Sequence, residues 1–435
     1  MPNKDTGHST GHLIIGGCDT LDLAMRFGTP LHVLDEMRIR SACRAYRQAA
    51  SAHFGPLARV VYASKALCTT AVLRIVASEG LGVDVVSGGE LHTALCARVR
   101  PADIVFHGNN KTPRELAEAL SAGVGRIVVD NEEELTRLAS LCAEHGTETD
   151  ILLRIKPGVS AHTHEYVRTG AIDSKFGVAL ETGEAERLLI RAASVPGIRL
   201  RGIHCHIGSQ IFGPDSFVEA ARIMTGFMAD LSERDGILLT ELNLGGGYGV
   251  RYVDEDTPDA PEDVFRPVAA SIREICENRA FPFPAICLEP GRAIVAEAGT
   301  TLYTAGSVKH IPGVRTYVAV DGGMFENPRY ALYGSAYEIV RADDPNAVRT
   351  DPVTIAGKCC ESGDLIQEHI PMPPLGTGDI LAVMSTGAYH YSMASNYNRN
   401  ARPAVVLCRE GRAVEIVRRE SYEDLVRNDC IPEGL

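Results

Sequence analysis

The sequence predicts an α/β chain: a (β/α)8, TIM-like barrel, followed by an all-β domain (barrel or sandwich) that also takes in the N-terminal strand segment. Three observations lead there. From about residue 58, eight short apolar runs alternate with stretches of helical period. Each run ends in a turn bearing Gly, Asn or a charge. Beyond about residue 298 the alternation stops and β-rich runs replace it.

Taken in order, the N-terminal segment contributes one strand, Leu31–Leu34, and is assigned with residues 298–435 to the β domain as residues 1–40. The barrel is assigned to 41–297. Its strands are Val60–Ala63, Gly82–Val86, Ile104–His107, Arg126–Asp130, Ile151–Ile155, Leu200–His206, Leu242–Gly245 and Ala285–Glu289. Near-continuous apolar runs suit parallel strands covered on both faces. The helices between them carry start and stop signals. Thr112-Pro113-Arg114-Glu115 is a capping box with Pro at the first helical position. Asn131 followed by three glutamates sets a cap and acids where the helix dipole favours them. Asp235-Gly236 closes another helix. In the second domain Thr316–Asp321, Val353–Gly357, Ile380–Ser385 and Pro403–Leu407 read as strands, and Arg409-Glu410-Gly411-Arg412 as the hairpin turn before Ala413–Val417.

Composition narrows the function. With 45% apolar and 23% charged residues, the 435-residue chain is that of a soluble globular protein. Its net charge is −13, from 43 basic and 56 acidic residues, and no stretch concentrates Lys or Arg. Neither a nucleic acid nor a membrane surface is expected as partner, because both need clustered cations. No apolar run approaches a spanning length, and Met1–Asp5 does not open a secretory leader. The 12 cysteines form no CxxC pair; Cys96, Cys142, Cys276, Cys287 and Cys408 fall in apolar patterns and read as buried free thiols of a reducing cytoplasm.

Barrel chemistry gathers at the C-terminal ends of the strands. Those ends carry Lys65, Asp84 and Ser87, His107, Asp130, Arg154, His206, Gly245–Gly247 and Glu289. A purely structural protein has no reason to gather such groups on one rim. A lysine at a strand end is by default a solvated terminus, but Lys65 opens a loop at the barrel mouth. Glu289 lies at the end of another strand, in Glu289-Pro290-Gly291-Arg292. A lysine and an acid so placed are what pyridoxal phosphate chemistry needs: the amine forms a Schiff base with the cofactor aldehyde, and the acid keeps the pyridine nitrogen protonated.

Other groups are read with their plainer alternatives. Gly245, Gly246 and Gly247 are a phosphate-cradle candidate, since backbone N–H groups without Cβ atoms can approach an anion, although glycine runs also mark tight turns. No GxGxxG opens a helix, so a dinucleotide is not expected. His204 and His206 share one side of a strand, but no acid or cysteine cluster completes a ligand set, and no metal is expected. His206 suits stacking on a planar cofactor. His162 and His164 are solvated or lid residues. Cys359–Asp364 reads either as a turn or as a proton-donating thiol beside an acid that pairs with a substrate ammonium. Arg292, Arg329 and Tyr333 could clamp a carboxylate, each arginine being a surface residue by default.

On the motifs Tyr62-Ala63-Ser64-Lys65-Ala66, Asp84–Leu91, His107-Gly108-Asn109-Asn110-Lys111, His204–Gln210, Asn243–Gly247, Glu289–Arg292, Cys360–Asp364 and Ser395-Asn396-Tyr397-Asn398, nearly the whole chain resembles the diaminopimelate decarboxylases. Those enzymes fall in the fold-type III group of pyridoxal phosphate enzymes, with ornithine and arginine decarboxylases and alanine racemase. The resemblance implies that Lys65 carries the cofactor, Glu289 holds its pyridinium and His206 stacks on its ring. Asp84 and Arg154 join the cofactor site; Ser209, Gly245–Gly247, Gly291, Arg292 and Tyr389 bind the phosphate or sit beside it. Arg292, Arg329 and Tyr333 would recognise the distal carboxylate of the amino-acid substrate, with Tyr389 nearby and Glu361 on the distal ammonium. Cys360 would protonate the carbanion, so the catalytic set is Lys65, Cys360, Glu289 and His206. The family site forms between two subunits, with Cys360-Glu361 supplied by the partner, which implies a homodimer. Lys358, Leu67 and Lys156 depart from common family residues and touch none of these roles.

The reaction so implied is decarboxylation of meso-2,6-diaminopimelate at its D-centre to L-lysine and CO₂, the last step of lysine biosynthesis. Decarboxylation of ornithine, arginine or a carboxylated polyamine would not need an arginine clamp on a distal carboxylate. A racemase would want a matched pair of bases. A non-catalytic regulator would be expected to lose Lys65.

Overall fold

The computed structural model describes residues 11–159 and 174–435; His162 and His164 lie outside the described residues. Arg40–Val250 with Thr257–Ile294 forms one compact unit. The described residues up to Ile39, with Arg251–Asp256 and Val295–Leu435, form the other.

In the first unit, parallel strands Arg59–Ala63, Gly82–Val85, Ile104–Phe106, Arg126–Val129, Thr149–Lys156, Ile198–His204, Glu241–Asn243 and Ala285–Leu288 pair in sequence order. The last pairs with the first, through Leu288 and Val60, and the ring closes. This is the expected eight-stranded barrel. A two-residue strand, Val178–Ala179, pairs among the described residues with Thr149–Lys156 alone and stands outside the ring. Val61, Val105, Val128, Leu152 and Cys287, from five strands, make one buried apolar cluster, so the barrel is a packed core and not a pore.

The helix signals hold. Thr112 and Glu115 form a reciprocal capping box ahead of Pro113–Ala122. Asn131 accepts from the Glu134 N–H at the start of Glu132–His145. Gly236, at φ +67°, ends Asp215–Asp235 in the left-handed conformation that a residue without Cβ adopts freely.

The second unit is mostly sheet. Its strand order is Leu365–Met372, Asp351–Ala356, Arg315–Val320, Gly299–Ile311, Leu31–Asp35, Ala404–Arg409, Arg412–Val417. Ile380–Met384 also pairs with Gly299–Ile311 and carries Ile339–Arg341 on its other side. The N-terminal strand lies inside this sheet, antiparallel to Gly299–Leu302 and parallel to Ala404–Cys408. Leu31, Val33, Leu302, Ala382, Ala404 and Val406 are packed in its core.

One cysteine expectation needs correction. Cys142, Cys276, Cys287 and Cys408 are buried, but Cys96 is exposed. It ends the helix Gly88–Cys96 on the same outward face as His92, four residues back, whose Nε2 lies 3.4 Å from its sulfur.

Candidate active site

Lys65 sits in a short 3-10 turn, Ser64–Ala66, directly after the first barrel strand, with its side chain exposed at the strand's C-terminal end. Glu90 ties this turn to the next one: its Oε2 accepts from Ser64 Oγ at 2.9 Å and from the Val86 N–H at 2.8 Å. Ser87, one of the rim residues, caps the helix that carries Glu90.

Glu289, one residue past the eighth strand, is almost wholly buried. Its Oε1 accepts from Asn243 Nδ2 at 2.6 Å and pairs with His107 Nε2 at 2.7 Å; its Oε2 pairs with His204 Nε2 at 3.2 Å. Burial alone would raise this carboxyl, but His107 and His204 outweigh it and hold Glu289 well below the usual carboxylate range. Burial pushes His204 down to about 3, which makes it a neutral ring donating Nε2–H; its Nδ1 has no hydrogen-bond partner. Asp84, at the end of the second strand, is pushed up to about 6 by burial, opposed by His107 and reinforced by Glu289. Asp84 Oδ1 lies 3.8 Å from His107 Nε2.

The metal argument from sequence is therefore corrected in one respect: an acid does complete a histidine set. His107, His204 and Glu289 offer ligand atoms within 4.8 Å of one another. Inward alternation along the strand brings His204 there, while His206 lies beyond the strand's last residue, His204. The described atoms are spent on mutual hydrogen bonds.

His206 is half-buried, and its Nδ1 accepts from the Gly246 N–H at 3.3 Å. Burial, with Lys65 and Arg154 nearby, holds its basicity well below the ordinary imidazole value. The glycine run after the seventh strand is demanded by backbone proximity. A Cβ on Gly246 would stand 2.1 Å from the Glu289 carbonyl oxygen, and one on Gly245 2.5 Å from that of Cys205. Both Gly245 and Gly247 have positive φ, +67° and +113°. Gly291 packs against Ala63, next to the Lys65 turn. Arg292 Nη2 donates to Ser209 Oγ at 2.9 Å. Glycines, a guanidinium and a hydroxyl thus meet after strands seven and eight, where barrels commonly hold phosphate.

Arg154 is buried, with its guanidinium 4.3 Å from the Phe176 ring centroid. Burial lowers its basicity against the pull of Asp130, Glu289 and Asp84. Asp130 is buried too and raised by that burial.

The remaining candidates belong to the β unit. Arg329 is not a surface arginine: it is buried, 4.9 Å over the Tyr252 ring and 3.4 Å from Tyr337 Oη. Tyr333, four residues on, is half-buried. Tyr389 is half-buried and held at φ +61°, a conformation that costs a tyrosine and marks a constrained position. In Cys359–Asp364 the turn reading holds for Asp364, whose carboxylate accepts from the Cys359 and Met324 N–H groups, each at 2.6 Å. That cap leaves Cys360 and Glu361 exposed, with the Cys360 N–H held by Asn398 Oδ1 at 2.6 Å.

Asn243, Lys111, Tyr252 and Tyr337 had no role in the sequence reading, and His204 and His107 had no named partner. The signal for His204 and Asn243 was there: each ends a barrel strand two residues from a rim group. Tyr252 and Tyr337 carry no such mark, because only folding brings them to Arg329.

The description "Pyridoxal-dependent decarboxylase, pyridoxal binding domain" matches residues 36–296. The chain is 48% identical over 419 residues to the diaminopimelate decarboxylase of Bacillus subtilis, covering 96% of this chain and 95% of that one. It is 43% identical to the diaminopimelate decarboxylase of Synechocystis, over 100% of this chain and 94% of that one. Among solved structures, the diaminopimelate decarboxylase from M. jannaschii in co-complex with L-lysine superposes with a TM-score of 0.93 at 34% identity, covering 99% of each chain.

Proposed function

Because this chain belongs to the diaminopimelate decarboxylases, a pyridoxal-dependent family, we propose that it decarboxylates meso-2,6-diaminopimelate at the D-centre, yielding L-lysine and CO₂ as the last step of lysine biosynthesis. The observation that carries the site is Glu289: a buried carboxylate kept ionised by two histidines and an amide, on the same rim as the exposed amine of Lys65.

The residues present fit pyridoxal phosphate. A buried ionised carboxylate suits a protonated ring nitrogen, an exposed lysine suits an aldehyde, and the Arg292–Ser209 pair beside the glycine run suits a phosphate. When bound, the cofactor supplies an electron sink for the pair released as the Cα–carboxylate bond breaks. Lys65 would hold its aldehyde end, Glu289 its ring nitrogen and His206 its face. Asp84 and Arg154 would complete its surroundings, while Ser209, Gly245, Gly246, Gly247, Gly291, Arg292 and Tyr389 would take its phosphate. Lowered basicity keeps His206 neutral, so it can lie flat on a ring without adding a cation there.

Arg292, Arg329 and Tyr333, with Tyr389, recognise the distal carboxylate of the substrate, and Glu361 its distal ammonium. Cys360 delivers a proton to Cα. The exposure of Cys360 and Glu361 supports their being offered to a second copy of the chain, and the working enzyme is a homodimer with shared sites. Twelve free cysteines, eight of them buried, support a cytoplasmic location. No described helix is long and apolar enough to cross a membrane.

The test is product formation by pyridoxal phosphate-loaded protein on meso-diaminopimelate, L-ornithine and L-arginine in parallel. L-Lysine and CO₂ from the first alone are expected. Turnover of the basic amino acids alone would overturn the substrate and keep the cofactor site.

A further inference from the structure

We propose that His107 is a positioning residue for Glu289, one that divides its Nε2–H between Glu289 and Asp84 and so sets how the carboxylate meets the cofactor ring. The proposal rests on the reading that Glu289 faces the ring nitrogen.

The fold fixes where His107 stands. Its backbone N–H donates to Val85 O at 2.8 Å, extending the pairing of the second and third barrel strands by one residue. The loop after it is pinned by Lys111, whose Nζ donates to Gly108 O at 2.7 Å and Val128 O at 2.8 Å and pairs with Glu134 at 2.8 Å. The imidazole then stands edge-on to His204, with ring centroids 4.8 Å apart at 65°.

Two acids face its Nε2: Glu289 Oε1 at 2.7 Å and Asp84 Oδ1 at 3.8 Å. The nearer oxygen already accepts from Asn243. The farther one is buried and has no hydrogen bond, a costly state for a carboxylate that one N–H could relieve. A donor from the cofactor would crowd Glu289 with four N–H groups, and a small tilt of His107 toward Asp84 relieves both ends. The other charged and titratable groups acting on this set include His204, His206, Arg154, Lys65, Glu90 and Tyr248, with the thiols of Cys205 and Cys287. Burial, reinforced by Glu289 and opposed by His107, raises the Asp84 carboxyl to about 6.

The experiment compares His107→Leu, His107→Gln and Glu289→Ala with the parent. The apoenzymes are titrated with pyridoxal phosphate by equilibrium dialysis, and the absorbance of the bound cofactor is followed against pH. His107→Leu is expected to loosen the cofactor by roughly tenfold to a hundredfold, the value of a hydrogen bond to a charged group, and to shift the spectral pH midpoint. His107→Gln, which keeps an N–H donor, is expected to recover most of the affinity. Parent-like binding and spectrum in His107→Leu overturn the proposal, as does equal impairment of the Leu and Gln variants. Should His107→Leu fail to fold, Asp84→Asn decides: a shifted spectral midpoint supports the proposal and an unmoved one overturns it. If Glu289→Ala leaves both readouts unchanged, the Glu289 reading itself fails, and the two failures remain distinct.

Discussion

Lys111 and Glu134 form an ion pair at 2.8 Å with 1% and 2% of their side chains exposed. Two carbonyl oxygens accept from the same ammonium, and the ion pair matches its charge. Burial lowers the basicity of Lys111 and raises Glu134, while their mutual attraction opposes both. This pair anchors the His107–Lys111 loop from inside the protein.

Removing one partner leaves the other charge buried and unmatched. Lys111→Met is expected to cost about 3–5 kcal/mol of stability. Adding Glu134→Leu should return a large part of it, since an apolar pair carries no desolvation penalty. Urea denaturation of the two apoproteins checks the order; a single variant as stable as the parent would refute the account.

Gly246 and Gly226 make opposite predictions from one substitution. Gly246→Ala drives a methyl group into the Glu289 carbonyl, 2.1 Å away, and is expected to cost about 1–3 kcal/mol and weaken cofactor binding. Gly226 lies within the helix Asp215–Asp235 with nothing within 4 Å of its would-be Cβ. Gly226→Ala should therefore stabilise by about 0.5–1 kcal/mol. Thermal melts with and without pyridoxal phosphate read both effects.

The buried acid–base set predicts acid lability. His204 falls from its ordinary value near 6.5 to about 3 on folding. The native state binds fewer protons than the unfolded chain across that window, and stability drops as pH falls through it. Glu289, held low, adds loss below the carboxylate range. Asp84 works the other way, favouring the fold as pH falls from about 6 toward 4. The melting temperature of the apoprotein should fall between pH 6.5 and 3, and His204→Asn should flatten the upper part of that slope. An unchanged slope in the variant would remove His204 as its source.

Arg329→Ala separates substrate recognition from chemistry. The variant is expected to lose diaminopimelate turnover by at least tenfold in kcat/KM, about 1.4 kcal/mol, with cofactor affinity unchanged. Steady-state kinetics beside cofactor titration check it. Because Arg329 packs over Tyr252, Arg329→Lys should keep the fold and still lose the bidentate contact.

Much of the barrel was legible because parallel strands covered on both faces read as short apolar runs, and their C-terminal ends name the rim. Lys65, Asp84, Arg154 and Glu289 were visible for that reason. Less legible was the β unit. Gly299–Ile311, its longest strand at 13 residues, carries three Thr and two Gly and shows no strong alternation. Its pairing with Leu31–Leu34 joins segments far apart in the chain, and local propensity carries no information about such a partner.

The sequence by itself determined the chemistry available: one lysine and one glutamate at strand ends, a glycine run, and arginines and tyrosines beyond them. Those follow from residue identity and strand period. What only the tertiary structure decided is protonation and partnership. His107, Asn243 and His204 stand 182, 46 and 85 residues from Glu289 in the chain, and they keep it ionised only because closing the barrel removes water and brings three N–H groups to one carboxylate. Burial sets the cost of a charge, and neighbours decide whether it is met; neither quantity is written locally in a chain.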